Sequence, residues 1–142
     1  MKDYMQFDVD GFFRDYRPNK RKMRDLEWDL AQAMSSGGMD YAKPKVTGGL
    51  PSSQVEAAVE RIADIRAKID DLNEYFEKAD TFLGCLDSIE RKVAEVYFVQ
   101  GRRTIFSIEE MSSKFYMSKS SIYRTVQRIR KKIRQFEKKE GA

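Results

Sequence analysis

The most regular pattern of apolar positions lies in the middle of the chain. Between Ala58 and Leu83 apolar residues recur at alternating steps of four and three, the spacing of a helix face that packs on a partner. This seam comprises Ala58, Ile62, Ile65, Ile69, Leu72, Phe76, Ala79 and Leu83. Ser53 and Glu56 form a capping-box pattern ahead of the seam, and Gly84 interrupts it. The pattern predicts one long helix whose apolar seam requires a partner.

A shorter helix is predicted before the long one. Its apolar positions, again at steps of three and four, are Met23, Leu26, Leu30 and Ala33. Asn19 follows Pro18 and is the expected N-cap, while the run Ser35-Ser36-Gly37-Gly38 is the expected end. Residues 35–52 are rich in Gly and Pro and are predicted to form a loop. Residues 19–84 are therefore predicted to form an antiparallel helical hairpin for oligomerisation or partner binding.

The first 18 residues are rich in aromatic side chains but show no clear period. They are predicted to form an irregular arm or a short helix that packs its aromatic rings on the rest of the protein. Pro18 is expected to end this N-terminal arm.

A third helix is predicted after Gly84. Asp87 and Glu90 make a second cap signature, and Ile89, Val93 and Val96 share one helical face. Gly101 is the expected end of this helix, since glycine readily takes the conformation that ends helices.

Two further helices follow with only a short turn between them. Ser107 and Glu110 form a third capping-box pattern, in which Phe106 is expected to pack on Met111 as a hydrophobic staple. Ser118 then caps the last helix. Two capped helices this close in the chain are predicted to cross steeply, as in a helix-turn-helix. No segment has the pattern of a strand, so the fold class is predicted to be all-α, with residues 85–142 as a helix-turn-helix DNA-binding domain.

The last helix separates into an apolar and a polar side. The predicted buried stripe is Ile122, Val126, Ile129, Ile133 and Phe136. In a helix-turn-helix the first turns of the second helix enter the major groove, and Arg and Gln suit bidentate contacts to guanine and adenine. The predicted residues at or near base edges are Lys119, Ser120, Tyr123, Arg124 and Gln127. The predicted phosphate contacts are Arg128, Lys131, Arg102 and Arg103.

The distribution of charge agrees with a DNA-binding C-terminal end. Residues 100–142 hold 12 Lys and Arg against 4 Asp and Glu, whereas the whole chain has a net charge of only +4. Such a concentration of positive charge is typical of surfaces that bind a polyanion.

Catalysis and metal binding are not expected. The chain has no histidine, which removes the commonest general base and the commonest metal ligand. The acidic residues Asp64, Asp70, Asp71, Glu74 and Glu77 are interpreted as a solvated helix face. No catalytic residue, metal or cofactor is therefore predicted. The lone Cys85 fits a reducing cytoplasm, and neither a membrane span nor a secretory signal is recognisable.

The C-terminal part of the chain resembles the sigma-factor region 4 type of helix-turn-helix. The matching residues are Ile89 to Phe98, then Glu110-Met111-Ser112, and Ser118 through Val126. The layout as a whole is similar to phage-encoded late-gene transcriptional regulators of the RinA/ArpU type, in which a helical hairpin precedes a sigma-like domain. This resemblance implies a transcription activator that acts with the RNA polymerase of the bacterial host.

Two features depart from the family pattern. Tyr116 stands where the family turn usually has a glycine. If that position requires positive φ, a bulky residue there costs about 1–2 kcal/mol, and otherwise the turn is built differently. The segment between Gly101 and Ser107 is also longer than in the sigma pattern and adds Arg102 and Arg103.

Three functions are compatible with these observations. The first is a transcriptional regulator that binds double-stranded DNA through residues 85–142 and forms a homo-oligomer or contacts polymerase through the N-terminal helices. The second is a DNA-recognition subunit for phage DNA packaging, similar to small terminases, although those commonly place the DNA-binding domain first. The third is a sigma-like protein-interaction module, against which the basic last helix argues.

Overall fold

The structure, a computed structural model, describes residues 6–42 and 52–141, with the side chains of residues 6–35 and 54–140. Every secondary-structure element in these ranges is helical, which confirms the all-α prediction. The elements are α1 (Val9–Arg14), α2 (Tyr16–Ala42), α3 (Ser52–Gly84), α4 (Ser88–Ala94), a π-helical turn (Glu95–Val99), α5 (Ile105–Phe115) and α6 (Lys119–Gly141).

The chain divides into two compact units. The first, called the C-terminal unit below, combines the chain up to Pro18 with the chain from Phe76 onward, and the second consists of Asn19–Tyr75. The predicted N-terminal arm thus belongs to the same unit as α4, α5 and α6.

The Asn19–Tyr75 unit contains the apolar stripe predicted for α2 and the seam predicted for α3 as far as Leu72, whereas Phe76, Ala79 and Leu83 of that seam belong to the C-terminal unit. In α2 the four stripe residues from Met23 to Ala33 are each half-buried, while all the residues between them are exposed. In α3 Ile65 is buried, and its seam neighbours Ile62 and Ile69 are half-buried. Arg66 Nη2 lies 3.7 Å from Met34 Sδ, so α3 and α2 are in contact within this unit.

The ends of these helices differ from the prediction. α2 begins at Tyr16 instead of Asn19, and Pro18 lies in its first turn, where the N–H that proline lacks would have no helical partner anyway. α2 also continues to Ala42, so the predicted end at residues 35–38 is wrong. α3 begins at Ser52, one residue earlier than predicted. The rest of the predicted loop, residues 43–51, and the side chain of the predicted cap Ser53 lie outside the described residues.

The core of the C-terminal unit joins all of its helices. Its buried residues are Val9, Phe13, Ala79, Phe82, Leu83, Leu86, Val93, Ala94, Phe98, Ile108, Met111, Ile122, Val126, Ile129 and Ile133. Among the described aromatic residues of the arm, Phe13 is part of this core and Phe7, Phe12 and Tyr16 pack against it, as predicted. Phe13 lies with its ring centroid 6.4 Å from that of Phe82 and 5.9 Å from that of Phe98.

α4 begins with the predicted capping box. The Glu90 N–H donates to Asp87 Oδ1 at 2.8 Å, and the Asp87 N–H donates to Glu90 Oε1 at 3.0 Å. The predicted inward face is partly wrong, because Ile89 is exposed and Glu90 is fully buried. Glu90 is in helical register with Val93, Ala94 and Phe98, whose burial determines which side of α4 faces the core.

α5 begins earlier than the capping pattern predicts. Its N-cap is Thr104, whose hydroxyl oxygen accepts from the Ser107 N–H at 3.1 Å, so Ser107 lies inside the first turn. Phe106 also lies within the helix and is 75% exposed, so the predicted staple between Phe106 and Met111 is wrong. Met111 and Ile108 form the buried face of α5.

Candidate nucleic-acid interface

The turn between α5 and α6 is short and tightly bonded. Tyr116 ends α5 with a left-handed backbone, at φ 56° and ψ 45°, and its N–H donates to the Ser112 carbonyl. The Ser112 hydroxyl donates to the carbonyl of Met117. Ser118 caps α6 as predicted, because its hydroxyl oxygen accepts from the Ser121 N–H at 3.1 Å. The sequence left two alternatives open at this position, positive φ at Tyr116 or a turn that is built differently. The structure has positive φ.

The buried stripe of α6 holds this helix against the core. Ile122, Val126, Ile129 and Ile133 are at most 1% exposed, and Phe136 is half-buried against the same core. This confirms the predicted apolar register. An α-helix with one side buried must present its opposite side to solvent.

The opposite side of α6 carries a row of exposed polar residues, called the outward row below. Its spacing of three and four residues keeps it on the side away from the core. The row consists of Ser120, Arg124, Gln127, Lys131, Gln135 and Lys138, all of them exposed. Arg124 Nη2 lies 3.3 Å from Ser121 Oγ, a weak contact that leaves the guanidinium facing solvent.

One flank of α6 is bonded to the buried carboxylate of Glu90. Arg128 Nε donates to Glu90 Oε2 at 2.8 Å, and Lys132 Nζ donates to Glu90 Oε1 at 2.6 Å. The carboxylate is 0% exposed, while the side chains of Arg128 and Lys132 are 55% and 37% exposed. Both basic residues are thereby ion-paired with one carboxylate and tied to the start of α4.

The other flank of α6 is bonded to Asp10 on α1. Arg130 makes a bidentate contact, with Nε 3.0 Å from Asp10 Oδ2 and Nη2 3.1 Å from Oδ1. Arg103 reaches the same carboxylate, with Nη1 2.9 Å from Asp10 Oδ1. The Arg103 guanidinium also lies 4.5 Å from the ring centroid of Tyr97, and its Nε donates to the Tyr97 carbonyl. The π-helical turn that carries Tyr97 thus helps to hold Arg103.

These ion pairs shift the pKa values of both carboxylates downward. Burial alone would raise the pKa of Glu90, but the hydrogen bonds from Lys132, the Asp87 N–H and Arg128 outweigh it and lower that pKa. Burial likewise opposes ionisation of Asp10, and the hydrogen bonds and charges of Arg130 and Arg103 outweigh it and lower the pKa of Asp10. Both groups are therefore carboxylates at neutral pH.

The predicted DNA-contacting residues fall into two groups, those that face solvent and those that have an intramolecular charge partner. Those facing solvent on α6 are Ser120, Tyr123, Arg124, Gln127 and Lys131, with Tyr123 47% exposed. Arg102 is exposed and lines a groove of about 80 Å³ between the π-helical turn and α5. The others have intramolecular charge partners: Lys119 with Glu109 at 3.2 Å, Arg128 with Glu90, and Arg103 with Asp10.

Two residues that organise this surface were not singled out by the sequence. Glu90 was recognised only as part of a capping box, and nothing local marked it as the partner of Arg128 and Lys132. Asp10 lies 120 positions from Arg130, so no periodic pattern could connect them. The one signal available in the sequence was that Glu90 is in helical register with the apolar residues Val93 and Ala94.

Other kinds of site have no counterpart in the part of the chain that the structure describes. No group of three or more Cys, Asp or Glu side chains is arranged there to hold a metal ion. Within the same ranges, no helix combines the length and the apolar character needed to cross a membrane. Comparison of the chain with protein families, curated proteins and solved structures finds no match.

Proposed function

We propose that this protein is a sequence-specific transcriptional regulator that binds double-stranded DNA. In this proposal α5, the turn at Tyr116 and α6 act as a helix-turn-helix similar to sigma-factor region 4. The first turns of α6 enter the major groove, so Ser120, Arg124 and Gln127 meet base edges. Lys131, farther along the same row, meets the phosphate backbone.

The observation that carries this proposal is the sorting of charge around α6. On one flank Arg128 and Lys132 are both ion-paired with Glu90. On the other, Arg130 is ion-paired with Asp10, whereas the outward row keeps Arg124 and Lys131 in solvent. A helix that served only as a solvated surface would have no need for this separation. A central row of Arg, Gln and Lys between ion-paired flanks matches what one groove of DNA requires: bidentate donors for bases and a cation for a phosphate.

The regulatory role is proposed from the resemblance to phage late-gene regulators of the RinA/ArpU type. The protein would act in the cytoplasm of a bacterial host, as an activator that works with host RNA polymerase. Its N-terminal helices would form a homo-oligomer, since helix-turn-helix proteins commonly read two half-sites as dimers. Among the described side chains of this unit, Trp28 on α2 is the most exposed large apolar residue, at 65%, and is available for such an interface.

The experiment that tests the proposal is selection of binding sites from a random-sequence duplex library, followed by titration of the enriched duplex. Arg124→Ala is expected to weaken binding to the enriched duplex by about 1–3 kcal/mol and to relax the preference at one base pair. Arg61→Ala, which removes the same charge from an exposed position on α3, serves as the control. Failure to enrich any sequence, or equal losses for the two variants, would contradict the proposal.

A footprint of the protein on phage DNA separates regulation from packaging. A regulator protects a promoter, whereas a packaging subunit protects the site at which packaging begins. Protection confined to a packaging site would replace the proposed role with that of a DNA-recognition subunit for packaging.

A further inference from the structure

Tyr116 combines a strained backbone with an unusually exposed side chain. Among the described residues it is the one residue other than glycine with positive φ, at 56°. Its side chain is 95% exposed. The left-handed conformation suits glycine, because a Cβ atom crowds the following carbonyl oxygen. A tyrosine at this position therefore costs stability.

The fold requires the conformation at this position but not the tyrosine side chain. The hydrogen bond that ends α5 uses the Tyr116 N–H and the Ser112 carbonyl, and the adjoining bond joins the Ser112 hydroxyl to the Met117 carbonyl. Any residue except proline supplies that N–H. The exposed ring buries no surface whose burial would offset the cost of the strained backbone. Backbone strain without such compensation is concentrated at functional sites.

The position of Tyr116 along the chain fixes how far it lies from the first turn of α6. Three residues separate it from Ser120, so even a fully extended chain would span at most about 14 Å between the two Cα atoms. The major groove of B-DNA is about 12 Å wide, and its walls are the sugar-phosphate backbones. With Ser120 inside the groove, Tyr116 is therefore within reach of one wall.

The nearest charges along the chain favour an anionic partner for Tyr116. Lys114 precedes it by two residues and is exposed. Lys119 follows by three, and its ion pair with Glu109 is about half exposed on both sides, so a phosphate can compete with it. Tyrosine hydroxyls are among the groups that bond DNA phosphates.

We propose that the Tyr116 hydroxyl donates a hydrogen bond to a backbone phosphate at the edge of the groove that α6 enters. This inference rests on the proposed DNA binding and adds to it a contact made from the turn. Because the tyrosine is neutral, the contact strengthens binding without releasing a counterion. The Tyr116 side chain thus contributes DNA affinity at the expense of stability.

The test measures stability and DNA affinity in the same set of full-length variants. Tyr116→Phe removes only the hydroxyl, while Tyr116→Asn and Tyr116→Gly also relieve the strain, since both residues accept the left-handed conformation. Phe106→Ala removes another exposed aromatic ring, at the opposite end of α5, and serves as the control. The probe is a fluorescein-labelled duplex of mixed sequence, titrated at low ionic strength and again at higher salt.

All three Tyr116 variants are expected to bind the duplex about tenfold more weakly than the wild type or worse, with an unchanged salt dependence. Tyr116→Asn and Tyr116→Gly are expected to melt at or above the wild-type Tm, and Phe106→Ala to bind as the wild type does. Wild-type affinity in Tyr116→Phe would overturn the hydroxyl contact. Wild-type affinity in all three, with Arg124→Ala still impaired, would overturn this inference and leave the proposed function standing. No binding by the wild-type protein would overturn both.

Discussion

Glu90 and Arg128 form an ion pair across 38 positions of the chain, with Arg128 Nε 2.8 Å from Glu90 Oε2. The carboxylate is fully buried at the start of α4, and the guanidinium is on α6 with half of its side chain in solvent. Lys132 binds the other oxygen of the same carboxylate. These contacts fix the rotation of α6 about its axis from one side, and the Asp10–Arg130 pair fixes it from the other. The outward row points away from the core because the ion pairs on both flanks and the buried apolar stripe favour the same rotation of α6.

Replacing Glu90 with glutamine is expected to destabilise the fold by about 2–3 kcal/mol. Glutamine fits the same space but loses the charge that balances Arg128 and Lys132 at a site where the acceptor is buried. Denaturant unfolding followed by circular dichroism measures the change. Glu74→Gln, at an exposed position on α3, is the matched control and should fall within about 0.5 kcal/mol of the wild type.

Replacing Asp10 with asparagine is expected to loosen α1 and to cost about 1–3 kcal/mol. The substitution removes the charge on the bidentate acceptor for Arg130 and on the acceptor for Arg103. Asp15→Asn makes the same chemical change at the exposed C-cap of α1 and should be close to neutral. Hydrogen exchange of α1 amides locates the effect. Equal stability of the two variants would show that Asp10 does not hold α1.

The stability of the protein is expected to fall in acid because of these two carboxylates. Their pKa values are lowered in the folded state, so their contribution is complete above the ordinary carboxyl range near pH 4 and is lost as pH falls through the lowered values. Unfolding titrations from neutral pH downward measure this loss. The Glu90→Gln and Asp10→Asn variants should each show a shallower dependence on pH in that range, and an unchanged slope in both would contradict the assignment.

Trp28 offers a direct measurement of the proposed homo-oligomer. It is the single tryptophan of the chain and is 65% exposed, so its emission reports whether a second copy covers it. With rising protein concentration the emission is expected to move to shorter wavelengths, in step with an increase in sedimenting mass. Ile69→Asp in the α3 seam should reduce both changes. A monomer well above micromolar concentration, with Ile69→Asp tolerated, would contradict the oligomer.

The sequence predicted the features that depend on neighbouring residues. The capping box at Asp87, the cap at Ser118 and the buried stripe from Ile122 to Ile133 are local patterns, and each is present in the structure. Helix ends were less predictable, because Thr104 and Ser107 both suit an N-cap and the packing of α5 decides between them. Pro18 indicates the end of the N-terminal arm, but proline is also tolerated in the first turn of a helix, which is where it lies in α2.

The long-range contacts around α6 could not be read from the sequence. Arg103, Arg128 and Arg130 look equivalent to Arg124 in composition and charge, and all belong to the same basic end of the chain. Only the fold brings Glu90 and Asp10 to the flanks of α6 and so distinguishes the arginines that are ion-paired with them from Arg124, which faces solvent. The candidate interface is therefore narrower than the basic helix that the sequence indicated.

The most direct test of the central claim compares two adjacent lysines of α6. Lys131 lies in the outward row, whereas Lys132 is bonded to Glu90. The salt dependence of duplex binding is measured for Lys131→Ala, Lys132→Ala and the wild type, at ionic strengths from about 50 to 200 mM. The account predicts that Lys131→Ala lowers the slope of log K against log salt by about one, and that Lys132→Ala leaves the slope unchanged while reducing stability. Equal slopes for Lys131→Ala and the wild type, or a larger change for Lys132→Ala, would contradict it.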